Sequence, residues 1–140
     1  MSLLLEKQIV FADHLAQLIQ YARSLGYLPK IGEVMRSDEQ AEINALGFGG
    51  REAVAQLVEH QFPMLAAKIR NNRGNGIRNS VHCLQLAADL QLFDAGRKWL
   101  QESYPYEQLA DFWESLGPDH KAGVRFGDTP HYSIEWEGRK

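Results

Sequence analysis

Two histidines and two aspartates in this 140-residue chain have the types and spacing that metal chemistry needs. His82 and Asp89 lie in Ser80-Val-His-Cys-Leu-Gln-Leu-Ala-Ala-Asp-Leu90, with an apolar run between them. His131 follows near the C-terminus in Gly-Asp-Thr-Pro-His-Tyr-Ser-Ile-Glu-Trp, with Asp128 three residues before it. Imidazole nitrogens and a carboxylate oxygen are zinc ligands, and a set of three leaves a fourth position for water. A further carboxylate beside one ligand is the base that metal-assisted hydrolysis requires. Each feature also has a plainer reading. His82 and Asp89 can be a buried histidine with a structural aspartate, and Asp128 can be a turn residue ahead of Pro130.

The elements that must position these groups are read from periodicity. Leu4, Phe11, Leu15, Leu18, Ala22 and Leu25 form the stripe of an amphipathic helix closed by Gly26. Tyr27 to Arg36 reads as a strand with Ile31 and Met35 on one face, and Pro29 argues for an edge or a strand start. Ser37 is the N-cap of a next helix, with Gln40 in capping-box spacing. Gly47, Gly49 and Gly50 mark a loop, and Arg51–Gln61 a helix with Val54, Leu57 and Val58 inward. Pro63 restarts a helix through Arg70. Asn71 to Asn79, rich in Asn and Gly, is an irregular loop that either shapes the site or merely connects. Ala87–Phe93 reads as a strand, and the turn Asp94-Ala95-Gly96 predicts a hairpin through Lys98, Trp99 and Leu100. A helix is expected from Tyr106 to Leu116, then short strands over Val124–Phe126 and Tyr132–Trp136. Helices come early and strands mostly late, without regular alternation. That predicts an α+β fold, a small antiparallel sheet with helices packed on it and the zinc site at the sheet.

Taken together the motifs resemble the zinc peptidases that cut bacterial cell-wall peptides. These are the LAS-type, VanY-like D-alanyl-D-alanine carboxypeptidases and dipeptidases and the L-alanyl-D-glutamate endopeptidases, which include phage endolysins. The family pattern is Ser-x-His-x-x-Gly-x-Ala-x-Asp, then a carboxylate three residues before the last histidine. Ser80, His82, Ala87 and Asp89 match the first half, and Asp128 and His131 the second. Gln85 stands where the family usually has Gly, which leaves the local backbone open. The segment Glu33-Val-Met-Arg-Ser-Asp-Glu-Gln40 resembles the family stretch that bears an arginine and a glutamine close to the site. The likeness spans roughly residues 28 to 136, with 1–26 as an added helix, in a single domain over 1–140. It implies one Zn2+ held by His82, Asp89 and His131, with Asp128 and Arg36 as catalytic residues. Ser80 and Gln40 are implied as supporting residues, Ser80 orienting a ligand rather than acting as nucleophile. Arg36 either stabilises the oxyanion or holds a substrate carboxylate; its plainer reading is a solvated strand-end arginine.

The resemblance implies a peptidoglycan peptide as substrate, and the compact length is similar to that of a phage endolysin. The leading expectation is cleavage between L-Ala and D-Glu. The alternatives are a D-alanyl-D-alanine carboxypeptidase and a non-catalytic zinc-stabilised module, since the hedgehog signalling domains resemble the same fold. Nitrogen and oxygen ligands accept several divalent metals, so zinc follows from the resemblance.

Composition narrows the rest. A hydrophobic content of 44% allows one sizeable core. A net charge of -3 gives no basic footprint for nucleic acid. The lone Cys83 excludes an internal disulfide framework. As a neighbour of His82 in a strand it points away from the metal. The N-terminal Met-Ser-Leu-Leu-Leu-Glu lacks the basic flank and cleavage site of a signal peptide. Cytoplasmic synthesis without membrane insertion is therefore expected; the resemblance implies action on the cell wall after release, and a monomer is expected. His14, His60 and His120 have no partner legible in the sequence; His14 reads as a surface or packed histidine, and His60 and His120 as surface residues. Glu135 is a minor candidate for a further ligand or base. Trp99, Trp113 and Trp136 read as core rather than as a glycan platform.

Overall fold

The computed structural model describes residues 2–71 and 80–140, so the expected Asn71–Asn79 loop lies outside the described residues except for Asn71. Helix α1 (Leu3–Ser24) starts at the cap Ser2 and ends before Gly26, whose φ of +86° an L side chain would resist. It buries Phe11, Leu15, Leu18 and Ala22. Strands β1 (Leu28–Ile31), β2 (Ala87–Phe93), β3 (His120–Ala122) and β4 (His131–Ile134) form an antiparallel sheet in the order β1-β2-β4-β3. The fold is α+β, as expected. Pro29, which donates no backbone hydrogen bond, sits on the edge strand.

Helices α1 and α5 (Ser103–Ser115) cover the sheet. Phe11 meets Trp113 edge-on at 5.9 Å, and Tyr21 stacks on Phe112 at 4.3 Å. The Trp113 indole N–H donates to the Ser133 carbonyl, which satisfies the polar end of a fully buried ring. Helices α2 (Asp38–Ala45), α3 (Phe48–Glu59) and α4 (Pro63–Arg70) gather around a smaller cluster of Ala55, Ala66 and Ile69. Arg70 ties α4 to α3 through Glu52 and Glu59. Among the described residues no helix is long and apolar enough to cross a membrane.

Several boundaries differ from the sequence expectation. The first strand stops at Ile31, because Gly32 and Glu33 leave the ladder after backbone bonds to Asp89; Met35 is exposed. The Gly47–Gly50 loop is shorter than expected: α3 begins at Phe48 and takes in Gly49 and Gly50. Leu57 points outward at 84% exposure, while Val54 and Val58 pack inward. Helix α5 starts three residues earlier than Tyr106, since Pro105 is tolerated in a first turn. Gly123–Phe126 is a 3-10 turn rather than a strand, and the strand of this region is β3, just before it. The hairpin after β2 is reduced to one bridge, Phe93 to Trp99, with the Leu100 N–H donating to the Leu92 carbonyl and the Asp94 N–H to the Lys98 carbonyl. Trp113 is core, but Trp99 is 47% exposed.

Candidate metal centre

Three elements deliver the three donors. Asp89 in β2 and His131 in β4 are directly opposed in the ladder, so their side chains rise from one face as cross-strand neighbours. His82 comes from a 3-10 turn, Val81–Leu84, not from a strand. The Ser80 hydroxyl caps that turn by accepting the His82 N–H at 3.2 Å. The His82 carbonyl accepts the N–H groups of Arg36 and Gln85. Gln85 ends the turn at φ +56°, ψ +36°, the left-handed conformation that glycine adopts most easily. The backbone that a glycine would give is thus present, and the larger residue is strained into it. Cys83 stays outside the cluster because of this turn, not because of strand alternation.

His82 Nε2 lies 3.2 Å from His131 Nδ1, and these atoms lie 3.4 and 3.5 Å from Asp89 Oδ1. A tetrahedral zinc shell with bonds of about 2.0–2.2 Å puts neighbouring ligand atoms about 3.3–3.6 Å apart. The triangle therefore has the size of one face of such a shell. Asp89 Oδ1 is buried and accepts no hydrogen bond from either imidazole among the described residues. Burial alone would raise the Asp89 carboxyl, but the adjacent imidazoles His131 and His82 hold it well below the usual carboxylate range. Three inward-facing donors, one a persistent carboxylate, fit a divalent cation better than they fit one another.

Asp128 Oδ2 stands 4.0 Å from His131 Nδ1 on a half-open side chain. Its loop is fixed at both ends: the Asp128 N–H donates to the Gly123 carbonyl, and the Asp128 carbonyl accepts the His131 N–H. A Cβ on residue 123 would come within 1.8 Å of the Asp128 carbonyl oxygen and 2.7 Å of His131 Cβ. Only glycine allows that approach.

Arg36 is fixed from the other side. Its Nε donates to Glu33 Oε1 at 2.9 Å and its Nη2 to Glu33 Oε2, and this pairing raises its pKa further. Among the described residues Nη1 has no hydrogen bond, so one terminal nitrogen is left for a ligand rather than a full fork. Gln40 binds along its own helix: its N–H reaches the Ser37 cap, and its amide donates to Asn44 Oδ1 at 2.6 Å. Glu135 faces Lys121 at 3.7 Å rather than the donors.

Sequence reasoning gave no role to Glu33 or Gly123. Glu33 was legible only as a carboxylate three residues before Arg36, and its backbone bond to the Asp89 N–H was not legible at all. The sequence shows no partner for His14 or His120, and the structure joins them, Nδ1 to Nε2, at 2.8 Å. His120 is buried at the start of β3, not at the surface.

No protein-family model matches the chain, and no curated protein matches it. Among solved structures it is similar to a vancomycin-resistance D,D-pentapeptidase, a VanY variant crystallised in complex with Zn(II). The TM-score is 0.49 at 20% identity, covering 90% of this chain and 71% of that one.

Proposed function

We propose that this chain is a zinc-dependent peptidase that cuts the stem peptide of peptidoglycan between L-Ala and D-Glu, in the manner of a compact endolysin. The observation that carries the reading is the convergence of His82 Nε2, Asp89 Oδ1 and His131 Nδ1 at tetrahedral spacing, with the Asp128 carboxylate beside them. Held by these three residues, zinc supplies Lewis acidity, polarising a carbonyl and lowering the pKa of water toward about 7. Asp128 Oδ2 takes the proton of the attacking water and returns it to the leaving amine. Arg36 Nη1 faces the oxygen of the scissile carbonyl and stabilises the charge that grows there. Glu33 keeps the guanidinium from swinging away. Ser80 holds the turn that aims His82. The whole chain acts as one domain and as a monomer, with α1 as scaffold.

The test is digestion of purified cell wall by wild type, by Asp128→Ala and by chelator-treated protein, with mass spectrometry of the products. New D-Glu amino termini from wild type alone are expected. Equal release by all three samples overturns the peptidase reading. Free D-Ala with no cut after L-Ala overturns the choice of bond.

A further inference from the structure

The hairpin after β2 holds a large aromatic ring half in water on a fixed backbone. The Asp94 carbonyl accepts the Arg97 N–H, Asp94 Oδ1 accepts the Lys98 N–H, and Phe93 bridges Trp99. The indole of Trp99 nevertheless remains 47% exposed. It borders a cavity of about 190 Å³ whose other walls are Leu100, Gln101, Tyr106, Thr129 and Pro130. Thr129 and Pro130 are the two residues between Asp128 and His131, so this cavity adjoins the loop that carries both. The Tyr106 hydroxyl is already committed to the Leu92 N–H and the Leu100 carbonyl. Among the described residues neither the Gln101 side-chain amide nor the Thr129 hydroxyl has a hydrogen bond; the Gln101 backbone N–H donates to Glu102 Oε2.

An exposed aromatic face with uncommitted amide and hydroxyl groups at its edge matches one ligand chemistry, a pyranose ring. Such a ring has a C–H face for stacking and a rim of hydroxyl and N-acetyl groups. Thr129 stands two residues from His131, about 7 Å, and Trp99 bridges Phe93, four residues of strand from Asp89, about 13 Å. In a stem peptide the sugar is joined through a lactyl link to L-Ala. A cut after L-Ala leaves the sugar about two residue lengths from the scissile bond, roughly 7 Å. A cut between the two D-Ala residues leaves it about five lengths away, roughly 17 Å. We propose that Trp99, Gln101 and Thr129 form a subsite for the N-acetylated sugar that bears the stem peptide, making the chain selective for peptides still attached to glycan. The proposal rests on the peptidase reading and adds the part of the substrate that the metal centre does not contact.

The experiment compares kcat/KM for an N-acetylmuramoyl peptide and for the same peptide without sugar, in wild type, Trp99→Ala and Trp99→Phe. Wild type should favour the sugar-bearing substrate about tenfold. The ratio should fall toward one in Trp99→Ala and lie between in Trp99→Phe, which keeps a ring and guards against a folding artefact. An unchanged ratio in Trp99→Ala, or no preference in wild type, overturns the subsite. A second arm adds the peptide-free N-acetylglucosaminyl-N-acetylmuramic acid disaccharide and reads tryptophan fluorescence. Quenching present in wild type and lost in Trp99→Phe supports the subsite, and equal response in both overturns it. If wild type cleaves neither peptide, the peptidase reading fails, while the disaccharide arm still decides the subsite.

Discussion

At Gln85 a side chain with a Cβ occupies left-handed backbone, where the cost to an L residue is about 1–2 kcal/mol. Glycine has no such penalty but loses more chain entropy on folding. Gln85→Gly should therefore raise unfolding stability by roughly 0.5–1 kcal/mol, measured by denaturant titration, without loss of metal affinity. A drop in stability would show that the Gln85 amide, 3.4 Å from the Met35 sulfur, matters more than the strain. Asp128→Asn keeps the shape of the side chain and removes the proposed base. It should lower kcat/KM by about 10²–10⁴-fold while zinc content stays at the wild-type level. These side chains were legible because each is a chemically distinctive type at a fixed offset: Asp128 three before His131, Ser80 two before His82. Glu33 and Gly123 were not, since Glu33 acts through a backbone carbonyl on Asp89 as well as its carboxylate on Arg36, and Gly123 through the space its missing Cβ leaves.

The short elements carry the geometry, and they are the ones periodicity reads least well. The α1 stripe and the β2 boundaries are visible in sequence, because each repeats a pattern over seven residues or more. The turns at Val81–Leu84 and Gly123–Phe126 are four residues each, too short for strand and 3-10 patterns to differ. The cross-strand pairing of Asp89 with His131 is a matter of register, which no local pattern states. The turn built on Gly123 gives a prediction at this scale. Gly123→Ala must push the Asp128 carbonyl away, costing about 1–3 kcal/mol and moving Asp128 and His131 together. Zinc affinity and peptidase activity should both fall, read by calorimetry and by peptide release. Wild-type values for both would mean that the loop has room to move.

Over the whole molecule two clasps tie distant parts of the chain together. One is the pair His14–His120, which joins α1 to β3 near the Lys7–Asp119 ion pair. Burial and the neighbouring His14 push the His120 pKa down to about 4, against the pull of the Gly117 carbonyl and Asp119. The unfolded chain therefore takes up this proton first as the pH falls. Stability from this site is complete above about 6.5 and is lost progressively down to about 4. Thermal melts across that window should fall in wild type and flatten in His120→Gln; a slope of equal size in both would remove His120 as the cause.

The other clasp is the candidate metal centre, whose three donors come from a turn and two strands. Zinc at a thousandfold excess over its Kd should stabilise the fold by about 4 kcal/mol, roughly 10–15 °C in Tm for a chain of this size. The most direct measurement is calorimetric titration of zinc into chelator-stripped protein, wild type beside His131→Ala. One ion per chain in the wild type, with that binding lost in the variant, is the predicted result. Wild type that takes up no zinc, or a variant that binds it as tightly, would contradict the assignment.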